Sequence, residues 1–271
     1  MTANPLFISL TYCLISFIST VILVSLFIKI SEKIGFISNQ HSISIREEKV
    51  PRAGGVGFIF IFYFSLFILK PLLPASYFWS ILIGGGFISF IGFLDDLKGL
   101  SPFSRILAQI LFVYLIGDYL GAFWYVDYER EIMKVLFIFS FIIGSVWIMN
   151  TFNFIDGADG LLSINVILIS LFSGMLLVAQ DQIYLGLSLL ILASVNIAFL
   201  IFNWAPAKVF MGDCGSLFLG SLFVIIPSYT VLNDFIPLYT WAILLSIFYT
   251  ETSVTLIFRV LKRKQIFKER H

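Results

Sequence analysis

The chain has 271 residues, of which 59% are hydrophobic and 12% are charged, and its formal net charge is +1. In soluble domains about a quarter of the residues are charged, so this composition excludes a soluble globular protein and predicts an integral membrane protein. The net charge also gives no electrostatic reason to bind nucleic acid. Cys13 and Cys214 stand alone beside different apolar segments, so we expect neither a disulfide framework nor a zinc site.

Nine apolar segments are long enough, or nearly so, to cross a bilayer as helices. The first begins close to Met1 without a basic leader, which indicates a membrane span and not a removed signal peptide. The segments are continuously apolar, which favours helices over a barrel. We therefore expect one all-α polytopic domain over residues 1–271, with spans near 6–28, 54–70, 77–94, 103–117, 133–149, 161–179, 184–202, 215–231 and 236–257.

The distribution of basic residues predicts the orientation of these spans. If the connections alternate between two sides, fourteen lysines and arginines fall on one side and three on the other. Loops rich in lysine and arginine stay in the cytoplasm. The N-terminus is therefore predicted to lie outside, and the cytoplasmic side is predicted to hold 30–53, 95–102, 150–160, 203–214 and the C-terminal tail.

Three of the cytoplasmic connections place aspartates directly against helix ends. Asp95 and Asp96 lie in "GFLDDLKGLSPFSR", Asp156 and Asp159 in "NTFNFIDGADGL", and Asp213 in "FNWAPAKVFMGDCGS". Each aspartate taken alone is typical of a turn or a helix cap. Five of them at one depth repel one another strongly beside a low-dielectric membrane unless a cation shares the site. Magnesium and manganese prefer such oxygen ligands, and the remaining carboxylates could act as a base or a nucleophile.

Taken together, the motifs resemble those of the polyprenyl-phosphate N-acetylhexosamine-1-phosphate transferases, glycosyltransferase family 4. The matching pieces in chain order are "VPRAGGVGF", "DDLKGLSP", "NTFNFIDGADGL" and "NWAPAKVFMGDCGSLFLG", followed by a basic tail. The piece "PRAGG" is more similar to the branch that contains the undecaprenyl-phosphate GlcNAc-1-phosphate transferases and the enzymes that initiate O-antigen than to the lipid I synthase branch.

The resemblance implies a role for each polar residue of the motifs. The catalytic residues would be Asp95, Asp96, Asp156 and Asp159, and the magnesium or manganese ligand would be Asp213. The residues that would bind substrate are Asn153, Asn203, Lys98, Lys49 and Arg52.

The implied reaction transfers an N-acetylhexosamine-1-phosphate from a UDP-N-acetylhexosamine to undecaprenyl or another polyprenyl phosphate and releases UMP. It would start a lipid-linked glycan, such as O-antigen or another cell-envelope polysaccharide, at the bacterial inner membrane, where membrane lipid surrounds the enzyme. The sequence leaves open the sugar, a one-step or a covalent mechanism, and whether the chain forms a homodimer.

Two further points qualify the resemblance. The main alternative is a transporter with an acidic cytoplasmic vestibule, but transporter carboxylates are expected near the middle of the membrane. In addition, the family has a histidine-containing loop and another helix after the ninth span, whereas this sequence ends at His271. We therefore expect the 271-residue chain to insert into the membrane but to turn over poorly, because a missing positioning element lowers the rate.

Overall fold

The computed structural model describes residues 5–34, 50–124 and 131–261, and the secondary structure in these ranges is helical. A 3₁₀ turn covers Lys70–Leu72, and a π-helical segment, Ser80–Gly85, joins α3 to α4. The α-helices are α1 Pro5–Ile34, α2 Gly55–Leu69, α3 Ala75–Trp79, α4 Gly86–Lys98, α5 Pro102–Tyr119, α6 Glu131–Ile155, α7 Leu161–Ala179, α8 Ile183–Asn203, α9 Gly212–Leu232, α10 Leu238–Leu244 and α11 Ser246–Leu261.

Seven helical segments of the described ranges are long and apolar enough to cross a membrane. Large apolar side chains face outward along them, and Phe60 and Phe64 on α2 are 62% and 58% exposed. A soluble protein does not expose such continuous apolar surface, so the predicted all-α, multi-pass membrane protein is confirmed.

The fourth and ninth predicted spans need separate description. The fourth corresponds to α5, and the ninth is divided into α10 and α11 at Leu245. Neither is among the seven segments, so the count of nine spans and the orientation stay predictions.

Helix α9 forms the centre of the molecule. Its residues from Cys214 to Pro227 are all buried, and it packs against α2, α4 and α6. Helices α7 and α8 pack against each other, and α8 also packs against α1 and α2. The N-terminal end of α9 therefore meets the C-terminal ends of α4 and α6, which is where the sequence places Asp95, Asp96, Asp156 and Asp213.

Glycines let the helices approach backbone to backbone at this end. A Cβ atom on Gly92 of α4 would lie 2.6 Å from the carbonyl carbon of Asp213 and 2.8 Å from Cα of Cys214. A Cβ atom on Gly55 of α2 would lie 2.6 Å from Cα of Gly215. Small residues at such crossings allow close van der Waals packing between membrane helices.

This packing predicts that Gly92→Leu destabilises the protein, because the new side chain must push α4 away from the backbone of α9. Overpacking of this kind typically costs about 1–3 kcal/mol, and the thermal unfolding temperature in detergent should fall accordingly. Gly144→Leu is the matched control, since a Cβ atom on Gly144 meets no atom within 4 Å. Equal unfolding temperatures for the two variants would contradict the close crossing of α4 and α9.

Candidate active site

The turn between α4 and α5 fixes the position of the first acid. Gly99 ends α4 with a φ of 65°, a conformation that glycine adopts without strain. Ser101 caps α5 by accepting a hydrogen bond from the Ser104 N–H, and Pro102 occupies the first helical position. The buried Asp95 carboxylate accepts a hydrogen bond from the Leu100 N–H at 2.6 Å. The sequence "DDLKGLSP" therefore encodes a compact turn that holds one carboxylate at the end of α4.

The second acid of the pair, Asp96, accepts hydrogen bonds at the N-terminus of α9. The Asp96 carboxylate accepts hydrogen bonds from the N–H groups of Asp213 at 3.0 Å and Cys214 at 2.9 Å. The preceding residue, Gly212, has a φ of 77°, and a Cβ atom there would lie 2.6 Å from Oδ2 of Asp96. A carboxylate at a helix N-terminus satisfies free N–H groups and interacts favourably with the helix dipole. Asp96 thus ties α4 to α9.

Arg105 connects the acids of these two helices. It lies in the first turn of α5, and its Nη1 atom is 2.7 Å from Oδ2 of Asp95 and 3.3 Å from Oδ2 of Asp213. One guanidinium therefore contacts both carboxylates and offsets the repulsion between them.

Helix α6 contributes an amide to the same place. Nδ2 of Asn153 donates to Oδ1 of Asp213 at 2.6 Å and to Oγ of Ser216 at 3.0 Å. Both oxygens of Asp213 are therefore held, one by Asn153 and the other by Arg105. The Asp213 side chain nevertheless remains 30% exposed, so it stays accessible from the aqueous side of the site.

Asp156 follows α6 and faces the other acids. Burial raises the pKa of its carboxyl well above the usual range, and the negative charges of Asp213, Asp96 and Asp159 raise this pKa further. The Gly212 N–H donates to the carboxylate and acts in the opposite direction. The side chain keeps some solvent access, but protein groups surround the carboxyl closely. Asp156 therefore holds a proton more readily than an ordinary aspartate.

Asp159 and Asn203 join the two loops that border the site. The exposed Asp159 carboxylate accepts a hydrogen bond from the Ala207 N–H at 3.0 Å. The buried Asn203 side chain accepts from the Gly160 N–H at 3.0 Å and donates to the Val209 carbonyl at 3.0 Å. These contacts make Asn203 a structural tie between the loops, while its predicted contact with a nucleotide sugar stays a prediction.

The segment before α2 completes the border of the site. The Phe210 N–H donates to the Pro51 carbonyl at 3.0 Å, and the Gly54 N–H donates back to the Phe210 carbonyl at 2.9 Å. Arg52, in this segment, is close enough to attract the Asp96 carboxylate. The piece "PRAGG" therefore lies against "FMGD", as parts of one site would.

The predicted site residues differ in how closely the structure joins them. Asp95, Asp96, Asn153, Asp156 and Asp213 come together at the ends of α4, α6 and α9. Asp159 and Asn203 lie in the bordering loops, the exposed Lys98 lies in the last turn of α4, and Lys49 lies outside the described residues.

Arg105 was not predicted as a site residue. From sequence it is only one of the basic residues expected on the cytoplasmic side. The one available signal is its place at the start of the helix that follows the acid pair, ten residues after Asp95.

The described part of the cluster can supply one or two carboxylate ligands to a divalent cation, but not a complete set of protein ligands. Among the residues that the structure describes, no group of three or more histidine, cysteine or acidic side chains is arranged to hold a metal ion. Magnesium, however, commonly takes one or two protein carboxylates and completes its shell with water and substrate phosphates. The partly exposed Asp213 can supply such a ligand, so the residues fit a cation that binds together with a phosphorylated substrate.

Comparisons with known proteins match the region that carries the site. The glycosyl transferase family 4 pattern matches residues 78–230, which include the five aspartates of the predicted site. A probable undecaprenyl-phosphate N-acetylglucosaminyl 1-phosphate transferase of Bacillus subtilis (strain 168) is 29% identical over 265 residues, covering 93% of this chain and 72% of that protein. A phospho-N-acetylmuramoyl-pentapeptide-transferase of Streptococcus pneumoniae serotype 2 (strain D39) is 31% identical over 246 residues, covering 80% of this chain and 72% of that protein.

The environment of Asp156 predicts how stability depends on pH. Because its pKa in the folded protein lies above the ordinary value of 3.8, its contribution to stability is fully present below that value. The contribution is lost as the pH rises through the folded-state pKa. The unfolding temperature of Asp156→Asn should therefore fall less than that of the wild type between about pH 4 and pH 8.

Asp159→Asn is the matched control, since it makes the same chemical change in an exposed side chain of the same loop. It should keep most of the pH trend of the wild type, because burial and the charges of Asp213 and Asp96 raise the Asp156 pKa more than the Asp159 charge does. If Asp156→Asn also kept that trend, the environment described for the Asp156 carboxyl would be wrong.

Proposed function

The chain belongs to glycosyl transferase family 4 and is a phosphohexosamine transferase, and we propose that it acts on a UDP-N-acetylhexosamine and a polyprenyl phosphate. The reaction we propose moves the sugar-1-phosphate onto the lipid phosphate and releases UMP. The names of the relatives support a polyprenyl phosphate as acceptor, and that of the Bacillus subtilis relative supports N-acetylglucosamine as the sugar.

The observation that carries this proposal is the convergence of four aspartates and one arginine at one end of the helix bundle. A nucleotide sugar is charged and stays in water, whereas the chain of a polyprenyl phosphate stays in the bilayer. The two substrates can meet only where the helix ends reach the aqueous phase. Asp95 and Asp213 lie at such ends, unlike transporter carboxylates, which are expected near the middle of the membrane.

We propose that Arg105 binds the phosphate of the lipid acceptor. A guanidinium has five N–H donors in a plane and matches phosphate geometry well. Its Nη1 is engaged with Asp95 and Asp213, and the side chain is 30% exposed, so further donors can reach a phosphate oxygen. Holding both phosphates in line contributes most of the catalysis in phosphoryl transfer, because little covalent chemistry is needed from the protein.

The acids divide into positioning and proton-handling groups. The Asp96 carboxylate holds the first turn of α9 by accepting hydrogen bonds from its N–H groups. We therefore propose that Asp96 keeps Asp213 in position. The environment of Asp156 favours a bound proton, because burial and the neighbouring negative charges raise the pKa of its carboxyl. Carboxyl groups with a raised pKa in a cleft are candidates for general acid–base work. We therefore place Asp156 as the group that takes up or returns a proton at the acceptor phosphate.

We also propose that Asp213 holds a magnesium or manganese ion together with the diphosphate of the donor. Such an ion, when bound, neutralises charge on the phosphate oxygens. Asp213 suits the role because it is partly exposed and is kept in place by Asn153.

The proposed setting is the inner membrane of a bacterium. The product would be the first lipid-linked intermediate of a cell-envelope polysaccharide such as O-antigen. Support comes from the bacterial relatives and from the multi-pass helical fold.

The proposal is tested by release of UMP from purified protein with undecaprenyl phosphate and a panel of UDP-sugars. We expect UMP only when both substrates are present, with UDP-N-acetylglucosamine among the active donors. Both the 271-residue chain and a form extended by the C-terminal region of a relative should be assayed. If neither form released UMP with any donor, the proposed substrates would be wrong.

The same assay contains its metal control. Release should stop with EDTA and return with added magnesium or manganese, and Asp213→Asn should remove it in a protein that still inserts and folds. Ser216→Ala is the matched control and should keep its metal-dependent activity. It removes another hydrogen-bond partner of Asn153 but leaves Asp213 intact. Full activity in EDTA would contradict the metal role but not the transferase reaction.

A further inference from the structure

An apolar cavity of about 400 Å³ opens between the helical segment 75–98 and α5. This volume lies within the range of pockets that bind small molecules, about 300–1,000 Å³. Its walls come from residues 79–87 on one side and 111–119 on the other, and none of the predicted site residues that the structure describes borders it. Ile83 and Leu115 at its rim are 65% and 55% exposed, so the cavity opens toward the lipid.

An irregular stretch of helix forms one wall of the cavity. Residues Ser80–Gly85 form a π-helix, a wider turn that often occurs at functional sites. The Tyr63 hydroxyl donates to the Ile81 carbonyl at 3.1 Å, which satisfies a polar group in this turn. A Cβ atom on Gly84 would lie 2.7 Å from Cδ1 of Ile116. Glycine therefore lets α5 pack directly against this wall at the floor of the cavity.

The cavity extends from near the middle of the bilayer to the surface opposite the acids. At 1.5 Å per residue, its lining positions lie about 12 to 24 Å from Asp95 along the helical segment and about 9 to 21 Å from Arg105 along α5. The apolar core of a bilayer is about 30 Å thick. Trp79 and Tyr119, which line the end farthest from the acids, therefore lie near that opposite surface, where such rings are enriched. This end of the cavity is the far mouth.

Lys70 places a positive charge at the far mouth. It begins the 3₁₀ turn after α2, and its Nζ atom lies 5.1 Å from the centre of the Trp79 ring. Counted from Gly55 at the other end of α2, Lys70 lies about 22 Å along the helix, a depth similar to that of Trp79. The residue is exposed, and within the described part of the chain it forms no salt bridge. Its ammonium group can therefore receive an anion.

The headgroup of a lipid, and not its hydrocarbon, must decide which lipid the cavity prefers. A chain that leaves the bilayer for the cavity gains little hydrophobic free energy, because lipid tails are as apolar as the side chains that line it. One basic residue near the membrane surface favours an anionic lipid roughly fivefold in affinity. Lys70 can therefore provide a preference that the apolar walls cannot.

We propose that the cavity binds an anionic phospholipid of the leaflet opposite the acids, with its phosphate beside Lys70 and one acyl chain running from Trp79 toward Phe87. The charge at the far mouth and its depth both match this occupant, whereas the phosphate of a lipid in the other leaflet lies at the acid end. The ligand differs from both proposed substrates, so the inference goes beyond the proposed function and does not depend on it. Its acyl chain would contact both walls and stabilise the packing of the segment 75–98 against α5.

Photolabelling of the 271-residue protein in a neutral detergent tests where the lipid lies. Phosphatidylglycerol with a diazirine at its headgroup should label the chain near Trp79 or Tyr119. A diazirine halfway along an acyl chain should label it near Phe87 or Leu111, about 12 Å deeper along the helices. The reverse order of labelling, or labelling confined to other helices, would overturn the inference.

Competition against the labelled lipid tests the role of the charge. Unlabelled phosphatidylglycerol should compete roughly fivefold better than phosphatidylcholine, and Lys70→Gln should make the two lipids equal competitors. Lys134→Gln is the matched control, because Lys134 lies 3.7 Å from the ring of Trp124, a residue that does not line the cavity. It should keep the preference. Equal competition in the wild type, or an unchanged preference in Lys70→Gln, would show that the proposed ligand is wrong.

Two further measurements complete the test. Leu115→Trp fills the cavity from its rim and should reduce labelling by both probes, and Ile83→Trp, from the opposite wall, serves if the first variant does not fold. Phosphatidylglycerol should also raise the unfolding temperature of the wild type more than phosphatidylcholine does, and Lys70→Gln should remove this difference. Stronger competition by undecaprenyl phosphate than by phosphatidylglycerol would contradict the proposed occupant. These readouts do not need turnover, so their failure is distinct from a failure of the proposed function.

Discussion

Repulsion among carboxylates at a membrane interface is the constraint on which this structure depends. Asp95, Asp156 and Asp213 come from separate connections and meet where low-dielectric surroundings make their charges costly. The protein offsets the repulsion with the Arg105 guanidinium, with N–H groups at the start of α9 and with the Asn153 amide. Such close grouping also requires α4 and α9 to cross backbone to backbone. The electrostatics of the site therefore depend on the packing of the helix bundle.

Much of the fold followed from the sequence because long apolar runs have few alternatives in a bilayer. The sixth span was predicted at 161–179, the bounds that α7 has. The break at Leu245 and the π-helical turn at Ser80–Gly85 were not predicted, since neither contains a proline and both lie within apolar runs. The grouping of the aspartates was foreseen from alternation of the connections. The pairing of Arg105 with Asp95 depends on side-chain geometry across a turn, and the double hydrogen bonding of Asn203 depends on how two loops pack together. A hydropathy pattern contains neither.

A double-mutant cycle between Arg105 and Asp95 measures the central claim directly. The unfolding free energies of Arg105→Met, Asp95→Asn and the double variant should be compared in the same detergent. Residues in contact typically show interaction energies of about 0.5–3 kcal/mol, whereas independent sites add within about 0.3–0.5 kcal/mol. We expect a coupling of at least about 1 kcal/mol, with Arg105→Met less stable than the double variant because it leaves Asp95 facing Asp213 without a cation. Additive effects of the two substitutions would contradict the claim that Arg105 holds the acids together.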